Sequence, residues 1–204
     1  MSREMPFIPG ATTIGVTFKN GVILASERRV SYGYFVMSKS GRKVFKITDT
    51  AGAACAGLVG DMQIMIKEVA AHSNLYSYEL NRPATVRALA KLLGVLLFQR
   101  RLFPYLTQTI IAGVDPDGPK LYVLDPLGSV IEDKYAAVGS GSEIAMGLLE
   151  SEFREGLSEA EAVELVKKAI RSATARDIGS GDGVDMLIIS AKGIKEESYP
   201  LAAQ

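Results

Sequence analysis

Residues 12–18 (TTIGVTF) and 21–26 (GVILAS) are rich in β-branched and apolar side chains. Lys19-Asn20 separates them, and Asn20-Gly21 is a strong tight-turn dipeptide, so the pattern predicts a β-hairpin. Residues 34–37 and 43–47 read as a second strand pair, joined through Ser40-Gly41. Residues 52–59 (GAACAGLV) form a small-residue apolar run that predicts a buried strand with something packed close to its backbone. From Gly60-Asp61 the period changes. Asp61 is placed to cap a helix over about 62–80, and Pro83 to occupy the first turn of a second helix, PATVRALAKLLGVLLFQRR. Leu89, Leu92, Leu93, Leu96 and Leu97 follow helical spacing. Val86, Val95 and Phe98 widen that stripe, which predicts burial on more than one side, and Pro104 ends the helix.

Strands return at 107–114 (TQTIIAGV) and 119–124 (PKLYVL), linked by the turn-forming Asp115-Pro-Asp-Gly118. Residues 125–132 add a turn and a short strand, and residues 143–153 a third helix. Ser158 and Glu161 form a capping box that opens a fourth, with Val163, Val166, Ala169, Ile170 and Ala173 on one face. Residues 184–189 (VDMLII) are a further strand and 193–199 a possible partner for it. Strands therefore come as hairpins separated by helix pairs. That order argues against a doubly wound parallel sheet and for two antiparallel sheets, each covered by a helix layer. No internal linker, low-complexity stretch or residue-level repeat interrupts it.

Composition narrows the chemistry. Lys+Arg and Asp+Glu both number 23, so there is no basic excess to suggest nucleic acid as a partner. Hydrophobic content of 48% over 204 residues excludes a mostly disordered chain. With mean hydropathy +0.16, some apolar surface is expected to be buried against other subunits. No signal peptide is evident in MSREMPFIPG, and the longest apolar run, Leu92–Phe98, is far short of the ~20 residues that span a bilayer. A soluble, cytoplasmic protein without membrane contact is expected. One Cys (Cys55) and one His (His72) exclude an internal disulfide and a structural zinc site, and no metal or cofactor is implied. His72 lies in an amphipathic helical stretch and reads as a surface histidine. A hydrolase built on this chain would need a base that is neither histidine nor metal-bound hydroxide. The loops Gly139-Ser-Gly-Ser142 and Gly179-Ser-Gly-Asp-Gly183 could bind an anion through backbone N–H groups, but the first lacks the third glycine of a dinucleotide site, and the second reads equally as a helix C-cap turn.

Several segments, in order, resemble one family. They are GATTIGVTFKNGVILASERR, SKSGRKVFKI, AGLVGD, VLDPLGS, AAVGSGS and RDIGSGDGVD, spanning about Pro9 to Ile189. On these the chain is similar to the β subunits of the 20S proteasome, most closely the archaeal kind, which are N-terminal nucleophile hydrolases. The resemblance implies an α+β fold, a four-layer αββα sandwich of two antiparallel sheets flanked by helix pairs. It implies a propeptide-like segment over residues 1–11 and a single β-type domain over 12–204. In the family, cleavage after a glycine exposes an N-terminal threonine whose hydroxyl is the nucleophile and whose α-amine, with a pKa near 8, serves as base. Carried over by motif, Lys43 matches the lysine that favours deprotonation. Gly57 matches the oxyanion glycine, and Asp177, Ser180 and Ser140 the residues supporting the amine. Glu27 stands where aspartate is usual, one methylene longer.

The nucleophile itself departs from the family. Instead of glycine and three threonines the chain has Gly10-Ala11-Thr12-Thr13, and ungapped spacing to Lys43 puts Ala11 at the nucleophile's place. Thr12 is the remaining candidate nucleophile, but strand alternation turns it to the opposite face unless the strand slips or bulges by one residue. Three readings stay open: a non-catalytic subunit that builds the ring, an active threonine endopeptidase using Thr12, or an active subunit deliberately changed from threonine to alanine. A remote fourth is an unrelated anion-binding α+β module. The family reading implies α subunits and other β subunits in stacked heptameric rings as partners, unfolded polypeptide as substrate, and a regulatory ATPase acting indirectly. The helix at 84–102 is the candidate for subunit contacts.

Overall fold

The computed structural model describes residues 10–201. β1 (Thr13–Phe18) and β2 (Gly21–Glu27) form the first hairpin. β3 (Val30–Tyr32) and β4 (Phe35–Ser38) form a separate two-stranded hairpin. β5 (Val44–Lys46) and β6 (Ala51–Gly57) precede the helices α1 (Val59–Leu80) and α2 (Val86–Gln99). β7 (Thr107–Asp115), β8 (Gly118–Leu124), β9 (Val130–Asp133) and β10 (Tyr135–Val138) follow. The chain closes with α3 (Ser142–Glu152), α4 (Glu159–Thr174), β11 (Gly183–Ser190) and β12 (Gly193–Pro200).

Two five-stranded antiparallel sheets result, ordered β10-β1-β2-β11-β12 and β5-β6-β7-β8-β9. Three buried clusters fill three interlayer spaces, which fixes the order helix–sheet–sheet–helix. Alternation along single strands assigns each side chain to a layer. Ile23 and Ala25 of β2, with Met186 and Ile188 of β11, pack on Leu149, Leu165, Val166 and Ile170 of α3 and α4. Val22 and Leu24, with Leu187 and Ile189, face Ala54, Ile110, Ala112 and Leu121 of the other sheet. That sheet's outer face, including Ala53, Cys55 and Ile111, packs on Met62, Met65, Leu89 and Leu93 of α1 and α2. The small residues of β6 are thus explained. The strand is buried on both faces, and a Cβ at Gly52 would stand 3.0 Å from Leu187 Cδ1 of the opposite sheet.

The four-layer αββα sandwich expected from the sequence is present, and several details differ. Residues 34–37 and 43–47 do not pair: β4 pairs with β3, and β5 pairs with β6. Gly41 is no hairpin turn; its N–H donates to Arg28 O (2.9 Å), and a Cβ there would stand 2.2 Å from Val30 Cγ2. In the first hairpin the turn is Lys19-Asn20, and Gly21 is instead required by close approach, since a Cβ would lie 2.1 Å from Ile189 O. α1 begins before Asp61, with Leu58 as N-cap; Asp61 instead accepts a hydrogen bond from Leu106 N (2.8 Å). α2 begins after Pro83, capped by Thr85, whose side chain accepts from Ala88 N. Its burial is one-sided: Leu89, Ala90, Leu93 and Leu97 are buried, while Val95 and Phe98 are each more than half exposed. The capping box at Ser158 and Glu161 forms as read. β10 was not foreseen. His72 lies exposed on α1, as its helical setting suggested.

Candidate active site

The site lies where the two sheets meet at one end of the sandwich. Glu27 ends β2 and Lys43 immediately precedes β5, so the pair joins the two sheets. Both side chains are buried, and Lys43 Nζ pairs with Glu27 Oε1. The second carboxylate oxygen, Oε2, accepts N–H from Arg29 (2.6 Å) and Gly181 (3.0 Å). Burial pushes the Lys43 ammonium below its ordinary range, while the neighbouring Glu27 charge works against that shift. Burial likewise raises Glu27, opposed first by the charge of Lys43 and then by its hydrogen-bond donors. The glutamate's extra methylene, relative to aspartate, leaves the lysine pairing intact and reaches the Gly181 amide.

A second network surrounds the start of β1. The Ala11 N–H donates to Ser140 Oγ (3.1 Å), and Ser140 Oγ donates to Asp177 Oδ2 (2.7 Å). Ser180 Oγ donates to the same oxygen (2.5 Å). Thr12 Oγ1 lies 2.7 Å from Ser180 Oγ, and with the Ser180 proton committed to Asp177, Thr12 is the donor of that bond. Asp177 Oδ1 accepts from Gly179 N (3.1 Å). The structure therefore brings Ser140, Asp177 and Ser180 together around the backbone of residue 11.

The two faces of β1 are settled by packing. Ala11 belongs to the layer between the sheets, and a Cβ at Gly15 would meet Leu121 and Ile110 there. Ile14 and Val16 belong to the helix-side layer. Thr12, in phase with them, is fully buried and directed to Ser180. Thr13 Oγ1 donates to Cys55 O (2.9 Å) and so ties β1 to β6 across the sheets.

The glycine loops serve clearance. Gly139 has φ +98°, and a Cβ there would lie 2.3 Å from Ala11 O. A Cβ at Gly141 would lie 2.1 Å from Thr12 Oγ1, while the Gly141 N–H donates to Ala11 O (3.2 Å). These glycines let the loop before α3 close on β1, which is a sufficient reason for GSGS without a bound anion. Gly57 ends β6 with φ +136°, and a Cβ would lie 2.1 Å from Leu106 O, so only glycine fits that backbone.

Sequence reasoning missed Arg29 and Gln108. Gln108 Oε1 accepts from Gly139 N (2.9 Å), bridging β7 to the Ser140 loop. Arg29 Nε donates to Asp182 Oδ2 (2.8 Å) and Nη1 to Ile178 O (3.0 Å). Neither residue stands in a motif of its own, although Arg29 lies in the quoted SERR segment. Among the described residues no group of three or more His, Cys, Asp or Glu is arranged to hold a metal, and no helix is long and apolar enough to cross a membrane.

A four-layer αββα sandwich of two antiparallel sheets is the architecture of N-terminal nucleophile hydrolases. Comparison with known proteins narrows this. The family model described as "Proteasome subunit" matches residues 9–189. The chain is 49% identical over 189 residues to "Proteasome subunit beta 1" of Cenarchaeum symbiosum, covering 93% of this chain and 97% of the relative. It is 47% identical over 190 residues to "Proteasome subunit beta 1" of Nitrosopumilus maritimus, covering 93% and 96%. It is 46% identical over 201 residues to "Proteasome subunit beta 2" of Caldivirga maquilingensis, covering 98% and 100%. The chain belongs to the proteasome subunit family, as a β-type subunit of the core particle.

Proposed function

We propose that this chain is a structural β subunit that helps to build the proteolytic chamber and, with Ala11 in place, does not cleave peptide bonds itself. The observation that carries the reading is the placement of Ala11. Its backbone N–H rests on the Ser140–Asp177 pair, and its methyl group occupies the inter-sheet layer where a threonine would present a hydroxyl. The surrounding groups would then hold their family roles. Lys43, paired with Glu27, supplies positive charge to the nucleophile. Gly57 supplies the oxyanion N–H, and Ser140, Asp177 and Ser180 orient the α-amine. Alanine provides neither a nucleophile for substrate nor one for cutting the bond after Gly10, so residues 1–11 would stay attached to the domain over 12–204. Residues 1–9 of that segment lie outside the described residues. The reading in which Thr12 acts instead is disfavoured by its direction to the helix side, in phase with Ile14 and Val16, and its bond to Ser180.

In this reading the subunit sits in heptameric β rings stacked between α rings in the cytoplasm, alongside active β subunits. Unfolded polypeptide enters after unfolding by a regulatory ATPase. The deciding experiment is the intact mass of the chain purified from assembled particles, with and without Ala11→Thr. The expected result is that Ala11 chains are never cut at residue 12, while Ala11→Thr chains lose residues 1–10 and gain peptidase activity. A mass beginning at Thr12 in the unaltered chain would overturn the structural role. An Ala11→Thr chain that is neither cut nor active would show that the remaining groups are not a working site, whether alanine arose naturally or by design.

A further inference from the structure

We propose that Arg29 is a positioning residue of this site, clamping the loop at 177–183 onto Glu27 and thereby fixing Asp177 and Ser180 relative to Lys43. The inference rests on the functional reading above, since it assigns the loop's placement a consequence for the same chemistry.

Four contacts converge on this residue. Its backbone N–H donates to Glu27 Oε2 (2.6 Å), the oxygen that also accepts from Gly181 N (3.0 Å). Its guanidinium donates through Nε to Asp182 Oδ2 (2.8 Å) and through Nη1 to Ile178 O (3.0 Å). The guanidinium lies against the loop between those anchors, because a Cβ at Gly181 would stand 2.5 Å from Nη2 and 2.7 Å from Cζ. The loop has a reason to need a clamp. Asp182 holds φ +70°, a left-handed conformation that aspartate adopts more readily than most residues with a Cβ but still not freely, so its contacts help to hold the loop in place. Asp177 and Ser180 lie on that loop, whereas Lys43 belongs to the other sheet, and the Glu27 side chain touches both, Lys43 through Oε1 and Gly181 through Oε2. Arg29 sits on the link between β2 and β3 with only a quarter of its side chain exposed, so most of the clamp is packed against the protein. Lysine would not replace it, because a point charge cannot span a carboxylate and a carbonyl in one plane as the guanidinium fork does.

The test has two readouts in assembled particles. The first is amide hydrogen exchange of the peptide covering 176–184 in the Ala11 form, which does not depend on catalysis. Arg29→Ala, Arg29→Lys and Asp182→Asn are each expected to raise exchange there at least tenfold, with the sheets unchanged. The second is peptidase turnover in an Ala11→Thr background. Arg29→Ala is expected to lower kcat tenfold or more with KM little changed, since small misplacement of catalytic groups costs up to ~10²-fold in rate. Arg29→Lys is expected not to rescue it, and Arg29→Ala with Asp182→Asn is expected to cost no more than Arg29→Ala alone. Arg154→Ala, which removes a surface pair with Glu161 far along the chain, is the unaffected control. Unchanged exchange in the Arg29 variants overturns the clamp. Raised exchange with unaltered kcat overturns the positioning role. If Ala11→Thr alone is inactive, the family roles given to the surrounding groups fail, and the exchange data still decide the clamp. Should Arg29→Ala not assemble, Asp182→Asn carries both readouts, because asparagine tolerates the left-handed conformation.

Discussion

A fully buried lysine is costly unless its charge is answered, and Lys43 is answered by one carboxylate whose two oxygens are both engaged. Removing one partner leaves a buried charge without compensation, at a cost of about 3–5 kcal/mol, while removing both can be nearly neutral. Glu27→Leu is therefore expected to lower the Tm sharply, and Glu27→Leu combined with Lys43→Met to recover the part due to the unpaired ammonium, the Arg29 and Gly181 amides still lacking their acceptor. A double variant no more stable than the single would show that the pair contributes through something besides its charges. The two residues could be found in the sequence only through the family motif, because a glutamate and a lysine sixteen positions apart carry no local periodic signal. Ala11 was legible in the same way, as an alanine where spacing called for threonine. Arg29 was not, since its meaning lies in contacts with a loop about 150 residues further on.

At the level of elements, local signals were read well where local forces decide. The first hairpin, the capping box of α4 and the hairpin β7–β8 depend on turn and cap chemistry within a few residues. The pairing of β5 failed from sequence because a three-residue strand takes its partner from the sheet it joins, and Ser40-Gly41 imitates a turn while serving a close approach. The start of α2 was misplaced because both Pro83 and Thr85 suit a helix entrance, and only packing chooses between them. The loop at 177–183 gives an element-scale prediction. The Arg29 guanidinium beside Asp182, chiefly through its hydrogen bond, holds that carboxyl below its ordinary value of 3.8. A lowered carboxyl pKa contributes stability that is complete above the unfolded value and lost as pH falls through the folded one. Asp182→Asn should thus be less stable than the parent by about 1–2 kcal/mol at pH 7, with the difference disappearing in acid below the carboxyl range. Urea melts at several pH values would measure it, and a pH-independent difference would contradict the ion-pair origin.

For the whole molecule, the sandwich and its layer order were legible because hairpins and helix pairs alternate in blocks, and the helix at 84–102 was legible as a contact candidate, whereas which of its side chains face outward was not. The two-sided stripe read for α2 is a one-sided core face plus an exposed apolar margin. Phe98 is 55% exposed, Leu102 82% and Phe103 90%, and all lie at the end of α2 or in the loop after it. Large apolar side chains left in water at such density mark a contact surface. Phe98→Ser with Phe103→Ser is expected to leave the subunit folded by circular dichroism but to shift it from particle-sized to small species in sedimentation. Retained assembly would place the subunit contacts elsewhere.

Because Glu27 and the Asp177 loop belong to one sheet, and Lys43 and Gly57 to the other, the site is a joint between two slabs. Its geometry is a reading of how far apart and how squarely those slabs lie. Residues deep in the middle layer, such as Leu24, Leu121 and Leu187, thereby act as shims. A change of bulk among them would tilt the joint without touching any group in it, and a subunit pressed by its neighbours in a ring would have the same handle on its own site.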